Sequence, residues 1–166
     1  MPNSCADIIV VGVGNPFRGD DGIGPLIAQK LKEKKLPETV NITEEGQGIS
    51  IMESWSGASM VIIIDAMHSG DIPGKIRRFD ACRKPLPKVF FPCSTHHFGI
   101  AETVELARVI HRLPTSLIIY GIEGKDFKQG IGLSRVVLKA SEEIEKRVLT
   151  DIHKQIKQGR TPKIQH

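Results

Sequence analysis

Cysteine is scarce in this chain, and so are the large aromatic residues that usually read nucleic acid. The three cysteines, Cys5, Cys82 and Cys93, are odd in number, far apart and in no CxxC pair. That excludes a disulfide framework and a zinc knuckle and points to a reducing, cytoplasmic setting. No apolar run is long enough to span a bilayer, and no N-terminal signal stretch is visible, so no membrane insertion is expected. One Tyr and one Trp leave little to stack on bases. The net charge of +4 comes from scattered lysines, with clusters only at Lys30 to Lys35 and from Lys154 to Lys163, which reads as a solvated basic surface with no nucleic-acid partner. There is no G-x-S-x-G elbow and therefore no support for a serine triad.

What is present is the composition of an ordinary soluble protein. With 40% hydrophobic and 25% charged residues, 166 residues suffice for one domain with its own core. The organising stretch runs from Gly12 to Gly24. It follows the β-formers Ile8-Ile9-Val10-Val11 and precedes an amphipathic segment with Ile23, Leu26, Ile27 and Leu31 on one face, a strand, tight loop and helix in sequence. A phosphate cradle does not fit. The dinucleotide fingerprint needs a glycine where Phe17 stands, a Walker loop needs Gly-Lys-Ser/Thr where Asp20-Asp21-Gly22 stands, and two carboxylates repel a phosphate. Acids at a helix start suit its dipole, so Asp20 is expected to cap the helix, leaving Asp21 as the candidate for chemistry.

Further along, Val40 to Thr43 reads as a second strand, Glu44 to Gly48 as a loop and Ile49 to Trp55 as a short helix. Met60-Val61-Ile62-Ile63-Ile64 lacks polar alternation, as a strand buried on both faces of a parallel sheet does. It ends in Asp65, at the carboxyl edge where open α/β folds place their sites. Residues 74–80 read as a peripheral strand. Residues 81–92, with Pro85, Pro87 and Pro92, read as a surface loop. A helix from Ile100 to His111, a last strand from Ser116 to Ile122, a loop from Glu123 to Gly132 and a final helix capped by Ser134 complete the pattern. These elements predict an α/β protein, a three-layer α/β/α sandwich of phosphorylase/hydrolase-like type with a mostly parallel central sheet of about five strands. One domain is expected over residues 1–157, followed by a basic, disordered tail over 158–166.

Asp21 after the first strand, Asp65 after the third and His96 ahead of the third major helix fall at the same edge of this sheet. Two carboxylates and an imidazole with open positions form a ligand set suited to zinc, nickel, manganese or cadmium. Each also has an ordinary structural reading: a second cap, a partner for a backbone N–H, a hydrogen-bonded loop residue. His68 is a rim candidate, His97 could replace His96, and Cys93 could be a thiolate ligand or nucleophile or simply a buried thiol.

Taken together, Gly12-x-Gly14-Asn15-x-x-x-x-Asp20-Asp21-x-x-Gly24, Ile64-Asp65-Ala66, Ser94-x-His96-x-x-Gly99 and Gly132-Leu133-Ser134 resemble the [NiFe]-hydrogenase maturation endopeptidases over about Ile8 to Val148. The family's acid-Gly-Thr-x-Gly loop is one residue shorter here, as Glu45-Gly46-Gln47-Gly48, and lacks the threonine. The resemblance implies that Asp21, Asp65 and His96 are both the metal-binding and the catalytic side chains. It also implies removal of a C-terminal extension from the large-subunit precursor of a [NiFe]-hydrogenase. The metal would be nickel presented by the substrate, with zinc or cadmium able to occupy the site of the isolated protein. Hydrolysis would then be aspartic-type or metal-assisted. The sequence leaves the oligomeric state open, a monomer being compatible with it.

Two alternatives compete. A non-catalytic nickel- or precursor-holding protein would carry the same ligands without turnover. Gly12-x-Gly14-Asn15-Pro16 also resembles the start of peptidyl-tRNA hydrolases, but Gly19-Asp20-Asp21 stands where that family has Arg-His-Asn.

Overall fold

The unbroken apolar runs are strands covered on both faces. In the computed structural model, which describes residues 7–46, 48–87 and 99–160, β1 (Ile8–Val13) and β3 (Met60–Met67) are buried along their whole lengths. β2 (Val40–Glu45) pairs parallel with β1, and β5 (Ser116–Glu123) pairs parallel with β3. β4 (Ile76–Asp80) pairs antiparallel with β5, which makes it the peripheral strand expected from sequence. The order across the five-stranded sheet is β2-β1-β3-β5-β4.

Alternation along the strands divides the core in two. Ile8, Val10, Ile62, Ile64, Ile118, Tyr120 and Ile122 face α1 (Ile23–Lys32) and α4 (Arg135–Arg160), which contribute Ile23, Ile27, Leu31, Val137, Ile144, Val148 and Ile152. The opposite parity, Ile9, Val11, Val61, Ile63, Leu117 and Ile119, faces α2 (Ile49–Ser54) and α3 (Ile100–Val109). This is the expected α/β/α sandwich. From β1 the chain crosses by α1 to β2 on one side. It then returns by α2 on the other face to β3, on β1's far side. The sheet therefore has its topological switch point between β1 and β3, where a crevice forms at the carboxyl ends.

Some boundaries differ from expectation. β2 runs through Glu44 and Glu45; Glu44 accepts from Gln29 and Lys32 of α1, which draws those residues out of the loop. β3 continues past Asp65 to Met67 because β5 goes on pairing with it, Asp65 opposite Gly121 and Met67 opposite Glu123. α4 runs to Arg160, so the expected tail boundary after residue 157 falls inside a helix. Leu86 is not part of a free surface loop: it is buried in the cluster under α2 and α3. Among the described residues no helix is long and apolar enough to cross a membrane.

Candidate active site

The glycines of the opening motif serve close packing. A Cβ on Gly24, in the first turn of α1, would lie 2.3 Å from the Val13 carbonyl oxygen and 2.5 Å from that of Ile64. A Cβ on Gly12 would lie 2.3 Å from the Gly24 carbonyl oxygen. The start of α1 is thus pressed against the ends of β1 and β3, and the turn that precedes it, a 3-10 turn over Gly19–Gly22, is held at the switch point. Asp21 lies in that turn.

Asp21 and Asp65 are brought together there. Register pairing of β3 with β1 ends at Ile64, so Asp65 is the first residue of β3 beyond the last β1 pair, with β5 still alongside. Its side chain is 8% exposed, and Oδ1 accepts the Ala66 amide at 2.8 Å. Burial pushes its carboxyl well above the usual range, and the negative charge of Asp21 raises it further. Asp21 is half-buried, and its Oδ2 accepts the Asn15 amide at 2.9 Å. Burial raises its carboxyl too, with the Asn15 bond and the charge of Arg18 pulling the other way. Two neighbouring carboxyls, both raised by burial, can share work as acid and base, or together hold a cation.

His96, His97 and Cys93 lie outside the described residues. Among the described residues no group of three His, Cys, Asp or Glu side chains is placed to hold a metal ion. Among the described residues, Asp21 and Asp65 are the acids that meet at this edge, and their oxygens are of the kind that ligate hard divalent cations. His68 stands exposed at the rim, its ring 5.2 Å from that of Phe127 and stacked on it.

A metal held by these groups would require ionised carboxylates, so the raised carboxyl of Asp65 would make its affinity climb with pH. Titrating the protein with cadmium in two buffers of different ionisation enthalpy should show protons released on binding, with affinity rising from pH 5 to pH 7. Equal heats in both buffers and a flat affinity would contradict the placement of the metal at this pair.

Asp20 is not the cap of α1. Neither the 3-10 turn nor α1 has a side-chain cap bond at its N-cap residue. Instead the buried Asp20 carboxylate turns to the loop between β5 and α4, where it accepts the amides of Lys125, Asp126 and Ser134 and the Ser134 hydroxyl. Burial alone would raise its carboxyl, but these four bonds outweigh it and hold the group below its usual value. Ser134 does begin α4, its carbonyl accepting from Leu138, while its hydroxyl is spent on Asp20. The partners lie 105 to 114 residues from Asp20, so no local signal could have found them.

Glu123 is a further buried acid at a strand end. It ends β5 at 2% exposure and accepts the amides of Ser69 and Gly70 and the Ser69 hydroxyl, which fixes the loop that follows Asp65 and His68. The reasoning that singles out Asp65, an acid at the end of an apolar strand, applies to it equally.

A doubly wound α/β sandwich with a buried and a half-buried acid side by side at its switch point has the form of an enzyme-like site. The match is more specific: a family model described as hydrogenase maturation protease, HycI, covers residues 25–151, and the chain belongs to that family. The hydrogenase maturating endopeptidase HybD from Escherichia coli superposes with a TM-score of 0.78 at 27% identity, over 89% of this chain and 93% of that one. A Methanocaldococcus jannaschii chain provisionally named a hydrogenase maturation protease is 27% identical over 156 residues, 89% of this chain and 97% of that one. The hydrogenase 2 maturation protease of E. coli is 28% identical over 134 residues, 78% of this chain and 80% of that one. The relatives are endopeptidases, and protease activity is the activity of this family.

Proposed function

We propose that this chain removes a C-terminal extension from the nickel-loaded precursor of a [NiFe]-hydrogenase large subunit, with Asp21, Asp65 and His96 gripping the nickel that the precursor carries. The observation that carries the reading is the acid pair at the switch point, Asp65 buried beside Asp21 with its carboxyl raised. An open-sided pair of oxygens with few ligands of its own recognises a metal best when that metal comes already held by the substrate. His96 stands a few residues ahead of α3. The last turn of that helix is anchored at the amino edge of the sheet by Arg108 donating to the Ala81 carbonyl at 2.6 Å. The helix therefore runs back from there to its start at Ile100, beyond which His96 lies outside the described residues.

The rim supports a peptide substrate. Between the β1–α1 turn and the β5–α4 loop lies a groove of about 270 Å³, lined by Gly19, Asp126, Lys128, Ile131 and Ser134 among others. Phe17 and Ile131 stand 63% and 84% exposed on these two segments. Apolar side chains so exposed beside an active centre suit an extended chain laid across it. The cleaving step is open to two routes: the nickel polarising the scissile carbonyl, or one carboxylate taking a proton from the attacking water.

The test mixes protein and nickel-loaded precursor, follows intact precursor mass, and measures binding separately for Asp21→Asn, Asp65→Asn and His96→Ala. Loss of a C-terminal fragment with wild-type protein, reduced at least about 100-fold in each variant, is expected. A variant that binds the precursor but does not cut it assigns that side chain to water activation, and one that no longer binds assigns it to anchoring. Binding by wild-type protein with no mass change would make the chain a holding protein and overturn the reading.

A further inference from the structure

We propose that Asp20 is a positioning residue for this site: by tying the β1–α1 turn to the β5–α4 loop it fixes where its neighbour Asp21 stands relative to Asp65. The inference deepens the proposed function and rests on it for the effect on cleavage, though not for the geometry. Three sets of bonds join the two segments. Gly19 donates its amide to Gly130 at 3.0 Å, and Gly130 donates to Phe17 at 2.9 Å. The Asp20 amide donates to Asp126 at 2.8 Å. The Asp20 carboxylate then accepts Lys125 N at 2.7 Å, Asp126 N at 2.9 Å and Ser134 Oγ at 2.8 Å on Oδ2, and Ser134 N at 2.7 Å on Oδ1.

The backbones are close enough that a Cβ on Gly124 would lie 3.2 Å from that of Asp20. All four groups facing the carboxylate are donors, three on Oδ2 and one on Oδ1, so its negative charge is engaged by the loop. It also lies at the N-terminus of the 26-residue α4, where a negative charge is stabilised by the helix dipole.

Asp21 depends on this anchor. Consecutive Cα atoms are about 3.8 Å apart across a trans peptide, so a shift of Asp20 acts directly on the backbone of Asp21. The Asp21 carboxylate accepts the Asn15 amide, and its own amide donates to the Arg18 carbonyl within the same turn, so both bonds move with the turn that Asp20 anchors. An acid rather than an amide is needed at position 20. In Asp20→Asn one oxygen becomes an NH2, which meets an N–H donor whichever way the amide is turned. Outer residues that orient ligands in this manner change activity about 10- to 100-fold when altered.

The experiment compares wild type, Asp20→Asn, Ser134→Ala and a control, Trp55→Phe. The control removes the bond from Trp55 Nε1 to the Arg112 carbonyl at the opposite edge of the sheet. Amide hydrogen exchange at Asn15 reads the placement of Asp21 without any need for turnover, and kcat and KM for the nickel-loaded precursor are measured beside it. Asp20→Asn is expected to raise Asn15 exchange at least about 10-fold and to lower kcat about 10- to 100-fold with KM within about 3-fold. Ser134→Ala should act in the same direction but less. Trp55→Phe should lower Tm with Asn15 exchange and kcat unchanged. Asn15 protection and kcat at wild-type values in Asp20→Asn would overturn the proposal, as would equal effects in Trp55→Phe. If wild-type protein cuts no precursor, the proposed function fails while Asn15 exchange still decides the placement of Asp21.

Discussion

Asp65→Asn should leave less than about one hundredth of the cleavage activity and yet give a protein that withstands more heat than the wild type. The two effects have one cause. The buried carboxyl of Asp65 is raised well above its ordinary value by burial and by the charge of Asp21. A carboxyl raised in the folded state carries no penalty at pH values below its unfolded value. As pH rises from there toward the raised value, folding loses stability, because the unfolded chain ionises freely and the folded one does not. Asn does not ionise, keeps an oxygen for the Ala66 amide and removes the repulsion with Asp21, so its advantage is greatest at neutral pH and vanishes in acid. Each 1 kcal/mol relieved corresponds to roughly 2–4 °C in a chain of this size. Melting wild type and variant at pH 7 and pH 4, beside a cleavage assay, checks both halves. A variant less stable than wild type at pH 7, or one that cuts normally, contradicts the account of the site.

Gly24→Ala should destabilise the fold by about 3 kcal/mol or more, an overpacking cost at the upper end of the usual range. The atoms its Cβ would meet at 2.3 to 2.6 Å are backbone atoms of Val13 and Ile64, which cannot rotate away as a side-chain tip can. α1 must lift from the ends of β1 and β3, carrying the turn with Asp21, so activity should fall with stability. Gly46→Ala is the contrast: nothing lies within 4 Å of its Cβ, and a change within about 0.5 kcal/mol is expected. Urea midpoints at constant m separate the two variants. Equal midpoints would show that the close approach of α1 is not what the glycine serves.

The fold was legible because its strands announce themselves. The runs at Ile8 to Val11 and Met60 to Ile64 have the two-sided burial of a parallel sheet, and their ends locate Asp21 and Asp65 without further information. The helices followed from apolar spacing, which still holds along α4 at Val137, Ile144, Val148 and Ile152. Contacts between segments distant in sequence were not legible. Adjacent acids at a helix start look like caps, and only the loop arriving after β5 shows that Asp20 faces away from α1. Likewise the proline-rich composition around Leu86 suggests surface, while the tertiary packing under α2 and α3 claims that side chain for the core. Gly12 and Gly24 are needed because a helix lies on the strand ends, a contact between segments that the sequence does not display.

If the acid pair recognises a substrate by the metal that substrate carries, nickel decides whether cleavage occurs. The most direct measurement is the intact mass of one large-subunit precursor, prepared with and without nickel and incubated with the wild-type protein under the same conditions. The account predicts loss of a C-terminal fragment from the nickel-loaded form alone. Equal shortening of the nickel-free form would contradict it, since Asp21 and Asp65 would then be cutting without the ion they are held to recognise.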